Sequence, residues 1–376
     1  MALARNPFFG LGPVVTGSAI GYGAHMVERA PQLPSRFALV TAAAVCGGAL
    51  PADAAVEVRG GRLLHWGAAA EVANGRAVGV FDGVLFNAAA LRERLAARGL
   101  SVADLDHAHL ALEWLAAFGP TAVGDLRWHG SLALVHRAQN AVLLARDLVG
   151  VGWLGRADGP AGMVWSSDPR IAGEQQRAAP PGWVGIWSAS GVVQPKVAYA
   201  PNNALYFREI PDEARAATAP TALDRAGELL LAAVAAHREA LGGLDAAAIE
   251  GLGLPSIALS DAGGAVWSGA GLAAWRHPTA QLCERAADLR ADGPHEPTAT
   301  ADPADNAERL WRWQTMPDGP LRAARIATLD AGRALAAPHL DPALLAWLGA
   351  LHRSVRPAWL GAGDPEAADP PDVQSG

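Results

Sequence analysis

The sequence predicts two folded parts of different class: an α+β first domain built on antiparallel strands, and a reduced, helix-rich α/β second domain. Three observations lead there. Between residues 37 and 200, short apolar runs bounded by Gly, Pro, Asn and Asp recur, the pattern of strands joined by tight turns. Two amphipathic helical patterns interrupt those runs. Beyond residue 220 helical periodicity dominates and one short apolar run remains, as expected for a small parallel sheet among helices. The boundary falls near residues 205–220. This gives an N-terminal extension over 1–36, a first domain over 37–210, a second over 211–360, and an acidic, Pro-rich tail over 361–376 expected to be disordered.

The elements follow in order. Residues 37–50 are apolar and precede Ala52-Asp53-Ala54, which mimics the end of a signal peptide. The run starts too far into the chain for that role and reads as a buried strand. Residues 88–98 set Leu91 and Leu95 four apart with Arg92, Glu93 and Arg94 between them, so they form an amphipathic helix. Residues 107–118 form a second, with Leu110, Trp114 and Leu115 on one face. Strands follow at 131–135 and 141–145, joined by a hairpin around Gln139-Asn140, and at 163–167 and 183–187. Residues 221–240 form a strong helix with Leu223, Leu229, Leu230 and Val234 as its apolar stripe. A strand is expected at 254–259, a Pro/Asp/Thr-rich linker at 293–306, and helices at 321–335 and 342–351.

Composition narrows the function classes. Hydrophobic residues make up 51% and charged residues 18%, a globular balance. A net charge of -7 argues against a general nucleic-acid surface. The 2 cysteines, Cys46 and Cys283, form no CxxC, so neither a disulfide framework nor a structural zinc site is expected. A reducing, cytoplasmic setting is. Residues 6–24 are uncharged but broken by Pro7 and Pro13, and no membrane span is expected. His107 and His109 are spaced i and i+2, which face apart on a helix, so no metal site is expected from them. Arg146-Asp147 reads as an ion pair that fixes a turn.

Several segments resemble the asparagine synthetase (glutamine-hydrolysing) family, in that family's order. Residues 80–87, VFDGVLFN, followed by ALRERLAARG, are similar to its NGEIYN segment and helix. LLARDLVG at 143–150 resembles its "aRDxxG" strand and turn, Trp165-Ser166-Ser167-Asp168 its "aSE" strand, and Pro180-Pro181-Gly182 the entry to the last strands of its amidotransferase domain. LGGLDAAAI at 241–249 resembles the pyrophosphate loop SGGLDSSAI, SDAGGAVWSG at 260–269 resembles SGDGADELFGG, and Pro338-His339-Leu340-Asp341 ends a segment like "PfLD". The resemblance covers residues 37–357. It implies an Ntn-hydrolase-like antiparallel β-sandwich with helices, followed by a shortened ATP-pyrophosphatase-like domain.

The resemblance also implies that both catalytic centres are lost. The family's amidotransferase attacks glutamine with an N-terminal cysteine whose own α-amino group is the base. This chain begins Met1-Ala2-Leu3, with no cysteine before Cys46. Where the family's Asn-Gly stabilises the oxyanion stand Asp82-Gly83, and an anionic Asp82 would oppose developing charge. His107 falls where a carboxylate would hold the glutamine amino group, and Arg62 where an Arg would hold its carboxylate. These four residues are the expected vestige of the pocket. In the pyrophosphate loop Gly242, Gly243, Leu244 and Asp245 remain, but Leu241, Ala246 and Ala247 replace the serines whose hydroxyls would meet phosphate. The acidic pair of the "DE" segment aligns with Ala265 and Val266, and the Glu and Arg before "PfLD" with Ala334 and Ala336.

The expectation is therefore a pseudoenzyme with no catalytic residue, no metal and no cofactor, acting as a binding or scaffold subunit. Its partner would be a protein: a competent homologue, another enzyme of a biosynthetic pathway, or a second copy in a homodimer. Trp311 and Trp313 are candidate contact residues. One alternative is an ATP- and Mg-dependent amide ligase, of the asparagine or β-lactam synthetase kind, with a divergent site. Another is a small-molecule sensor that uses the vestigial pocket.

Overall fold

The computed structural model describes residues 35–41, 53–159, 162–171, 176–195, 217–241, 265–267, 320–330 and 334–351. The extension (apart from its last two residues), the strand at 254–259, the linker, the tail, Trp311 and Trp313 lie outside them, as do residues 242–245 of the pyrophosphate-like loop.

Alternating apolar residues build two six-stranded sheets in which every neighbouring pair is antiparallel. The first contains β1 (Arg36–Thr41), β2 (Ala54–Val58), β3 (Gly61–Trp66), β8 (Gly155–Gly159), β9 (Gly162–Ser166) and β10 (Arg177–Ala178), in the order β10-β8-β9-β1-β3-β2. The second contains β4 (Ala70–Val72), β5 (Ala77–Leu85), β6 (Trp128–His136), β7 (Ala141–Arg146), β11 (Val184–Ser188) and β12 (Gly191–Val193), in the order β12-β11-β7-β6-β5-β4. Side chains alternate between faces along a strand. Phe37, Leu39 and Leu63 of the first sheet thus meet Val78, Val80, Ala133, Val135, Val142 and Leu144 of the second in one core. Trp165 and Trp183 stack within it with centroids 4.5 Å apart.

The opposite face of the second sheet carries Phe81, Leu132, Leu134 and Leu143, covered by α1 (Ala88–Ala96) and α2 (His107–Phe118) through Leu91, Leu95, Leu110, Trp114 and Leu115. Asp106 caps α2 by accepting the His109 N–H at 2.8 Å, and Gly119 at φ 86° ends it. The hairpin at Gln139-Asn140 closes with Asn140 in the left-handed region at φ 49°, a conformation Asn tolerates.

The second part is a helical unit packed on one end of this sandwich. Among the described residues it comprises α3 (Ala219–Leu241), β13 (Ala265–Trp267), α4 (Pro320–Asp330), β14 (Ala334–Ala336) and α5 (Pro342–Ala350). Ala222, Ala226, Leu230 and Val234 of α3 pack with Leu321 of α4, Leu344, Leu345 and Leu348 of α5, and Val149 and Val151 of the sandwich. The expected stripe is corrected here: Leu223 is 47% exposed, and the buried face runs through Ala222 and Ala226. Small residues let the helices approach closely, so the larger leucine is not the one that turns inward. The helix expected over 321–335 is also corrected. It ends at Asp330, and Ala334–Ala336 form a strand paired in parallel with Ala265–Trp267. Inter-strand bonds outweigh the helical preference of alanine there. No helix among the described residues is long and apolar enough to cross a membrane.

Candidate functional site

The polar chemistry concentrates where the helical unit meets the sandwich. Its foundation is the turn after β7. Asp147, fully buried, accepts backbone N–H groups from Gly130, Val149, Gly150, Val151 and Gly152 at 2.7–3.1 Å. Arg146 donates to the carbonyls of Gly150 and Gly152, at 3.0 and 2.7 Å, and to that of Ala179. The two side chains fix the turn through the backbone on both sides of it. Burial pushes the Asp147 carboxyl up, and the amides and Arg146 offset this only in part. The turn presents Val149 and Val151 to the helical unit.

Gly83, Gly130 and Gly152 stack against one another beneath this turn. A methyl on Gly130 would overlap the Asp82 carbonyl and the Gly83 Cα, and one on Gly152 would overlap the Gly130 backbone. Gly130 also sits at φ +145°, open to glycine and strained for other residues. Gly83, expected beside an oxyanion, is thus occupied in backbone packing.

Asp82 lies opposite Ser131 on β6, on the face that looks into the sandwich. Both are buried. The Asp82 Oδ1 accepts from Nη2 of Arg325 on α4, itself only 6% exposed. Burial raises the Asp82 carboxyl above its ordinary range, and the attraction of Arg325 does not cancel that rise. Three further contacts cross the same seam. Arg127 donates to Asp341, the N-cap of α5, at 2.6 Å. Arg170 bridges Asp168 and Asp330, both at 2.6 Å. Arg322 lies over the Trp153 ring at 5.0 Å. Burial pushes Asp168 up, but the hydrogen bonds from Arg170 and Arg36 overcome it and hold the carboxyl below its usual range.

Beside these ion pairs stand His129 of β6, His237 of α3 and His339, each buried. The His129 and His237 rings are 5.3 Å apart, with Phe86 against both at 5.0 and 4.2 Å. Burial depresses His129 to about 4, and burial with neighbouring imidazoles depresses His237 and His339 to about 3 each. Among the described residues, no group of three or more His, Cys, Asp or Glu could hold a metal ion.

The residues expected to mark one pocket stand in three places. Asp82 and Gly83 lie at the seam. Arg62 is exposed on the first sheet, on the face opposite its neighbour Leu63, which belongs to the sandwich core. His107 lines a separate cleft of about 320 Å³ with Ser35, Asp106, His109, Leu112 and Glu239. Burial depresses His107, Arg92 adds to this, and Asp106 and Glu239 oppose it. Gly242, Gly243, Leu244 and Asp245 fall outside the described residues. The segments aligned with the acidic pair and with the Glu and Arg of the synthetase centre do come together, since Ala265 pairs with Ala334 and Trp267 with Ala336.

Sequence reasoning missed Arg325, Arg127, His129 and His237. For two of them a signal was present. Arg325 sits four residues after Leu321 and four before Leu329, on the buried face of α4, and His237 continues the buried face of α3 from Val234. A charged or titratable residue inside an apolar stripe marks a polar contact across an interface.

No family model and no curated protein matches the chain. Among solved structures it is similar to one described as the allosteric regulatory enzyme of purine biosynthesis, at TM-score 0.34 and 14% identity over 48% of this chain and 48% of that one. It is also similar to glutamine phosphoribosylpyrophosphate amidotransferase from B. subtilis complexed with ADP and GMP. That match has TM-score 0.33 and 14% identity over 65% of this chain and 71% of that one. The chain thus spans about half the length of the first of these, 48%.

Proposed function

We propose that the chain is a catalytically degenerate relative of the asparagine synthetases that serves as a binding or scaffold subunit beside an amide-forming or natural-product biosynthetic enzyme. The observation that carries this reading is the environment of Asp82. At the position where the family stabilises an oxyanion stands a buried carboxylate whose partner is Arg325 of the helical unit. Negative charge developing on an attacked amide would face that carboxylate, and the guanidinium that could offset it is already engaged. The strand Ala334–Ala336 supports the same reading for the ATP centre: Leu335 and Ala336 are buried apolar residues, and the positions aligned with Glu and Arg are alanines.

The test uses the full chain. Purified protein is assayed for glutamine hydrolysis and for ATP–pyrophosphate exchange, and is co-purified from its native host. The reading requires both activities at blank level and a stoichiometric protein partner retained through gel filtration. Exchange that disappears in Asp245→Ala would replace it with an amide ligase. A rise in melting temperature with glutamine or a nucleotide, and no retained partner, would replace it with a sensor.

A further inference from the structure

We infer that the seam between the sandwich and the helical unit is an acid-operated latch, in which His129, His237 and His339 hold the two parts together while neutral and release the helices when protonated. The three rings come from three different elements: β6, α3 and the turn Pro338–Leu340. His129 and His237 are each fixed by a backbone carbonyl. The Nε2–H of His129 donates to Leu340 at 3.2 Å, and the Nδ1–H of His237 donates to Ala233 at 2.8 Å. A carbonyl only accepts, so these bonds set the tautomers and leave His129 Nδ1 and His237 Nε2 as the sites for a second proton. Both atoms are buried and have no hydrogen-bond partner. A proton added at either would place a buried cation beside another imidazole.

The charged groups acting on the rings are Arg127, from the lead into β6, and Asp341, from the cap of α5. Arg127 would repel an imidazolium. Asp341 would attract one, but it is committed to Arg127 and to the Ala343 amide. From α3 and from the turn at 338–340, the groups that act on the rings are the other histidines.

The sign follows from the depressed values. A histidine whose folded value lies below its free value of about 6.5 stabilises the assembly above that pH, and loses the contribution as pH falls toward its folded value. The window therefore runs from about 6.5 down to about 4 and 3. The carboxyls of the sandwich add little over the upper part of that window. Asp147 has a raised carboxyl, so acid does not oppose its folded state, whereas Asp168, held below the ordinary carboxylate range, loses its contribution only as pH falls past about 4, at the acid end of the window. His107 and His136 are depressed but not sealed from water. Asp82 crosses the seam and, being raised, works weakly against release.

Hydrogen exchange on the full chain, from about pH 7.5 to about pH 3.5, reads the two parts separately. Peptides covering α3 and α5 should lose protection at a higher pH than those covering β6 and β7. His237→Phe should move that midpoint down by about one pH unit. Asp341→Asn, which removes the attracting carboxylate, should move it up. Loss of protection in both parts together, or a midpoint unmoved by His237→Phe and His129→Phe, overturns the latch. If those variants fail to fold, imidazole proton titration of the wild-type chain decides. Three rings that stay neutral well below the free-histidine value uphold it, and three that titrate near that value sink it.

Discussion

Arg325 reaches Asp82 across 243 residues of sequence, and the two form a buried ion pair between α4 and β5. The pair joins the two parts of the chain, and its members depend on each other. Removing one partner strands the other in low dielectric, which costs about 3–5 kcal/mol, whereas replacing both with apolar groups is close to neutral. Arg325→Met alone should therefore lower the stability of the full chain in urea by about 3 kcal/mol or more. Asp82→Leu combined with Arg325→Met should recover most of that loss. A double variant no better than the single one would show that the pair contributes more than mutual neutralisation.

Asp147 is the acceptor for five backbone amides. Asp147→Ala leaves those donors buried and unsatisfied, at about 1–3 kcal/mol for each that finds no new partner. The expected result is a melting temperature lowered by more than about 10 °C. Exchange should rise first at Val149 and Val151, the residues the turn offers to the helical unit.

Gly130 and Gly227 predict opposite signs for one substitution. Gly130→Ala would drive a methyl into the Asp82 carbonyl at φ +145°, so the protein should be strongly destabilised or insoluble. Gly227 lies inside α3 with nothing within 4 Å of an added Cβ. Gly227→Ala should raise stability by about 0.5–1 kcal/mol, read as a shift in the urea midpoint.

The orientation of α3 can be tested with a matched pair. Leu223→Gln alters a half-exposed side chain and should change stability by less than about 0.5 kcal/mol. Ala226→Gln pushes a polar side chain into the cluster of Leu230 and Leu345 and should cost about 1–3 kcal/mol. Reversed magnitudes in thermal melts would mean that the helix presents its other face.

Local periodicity alone specified the strands at 131–135, 141–145, 163–167 and 183–187 and the first two helices. Leu91 and Leu95, or Leu132 and Leu134, face the core whatever lies across from them. The resemblance of residues 80–87 to the synthetase family's NGEIYN segment, not local pattern, marked Asp82. Only the tertiary structure decided what Asp82 touches. Its guanidinium partner, the histidines gathered around Phe86, and the pairing of Ala334 with Ala265 all join segments far apart in the chain, and residue spacing carries no record of which distant surfaces meet. The same holds for Arg62 and His107: the family resemblance placed them with Asp82, but Arg62 stands on the first sheet, His107 on α2, and Asp82 on the second sheet. Leu223 shows the limit within a single helix. Periodicity offers two overlapping faces, and the close approach of neighbouring helices selects the one lined with alanine.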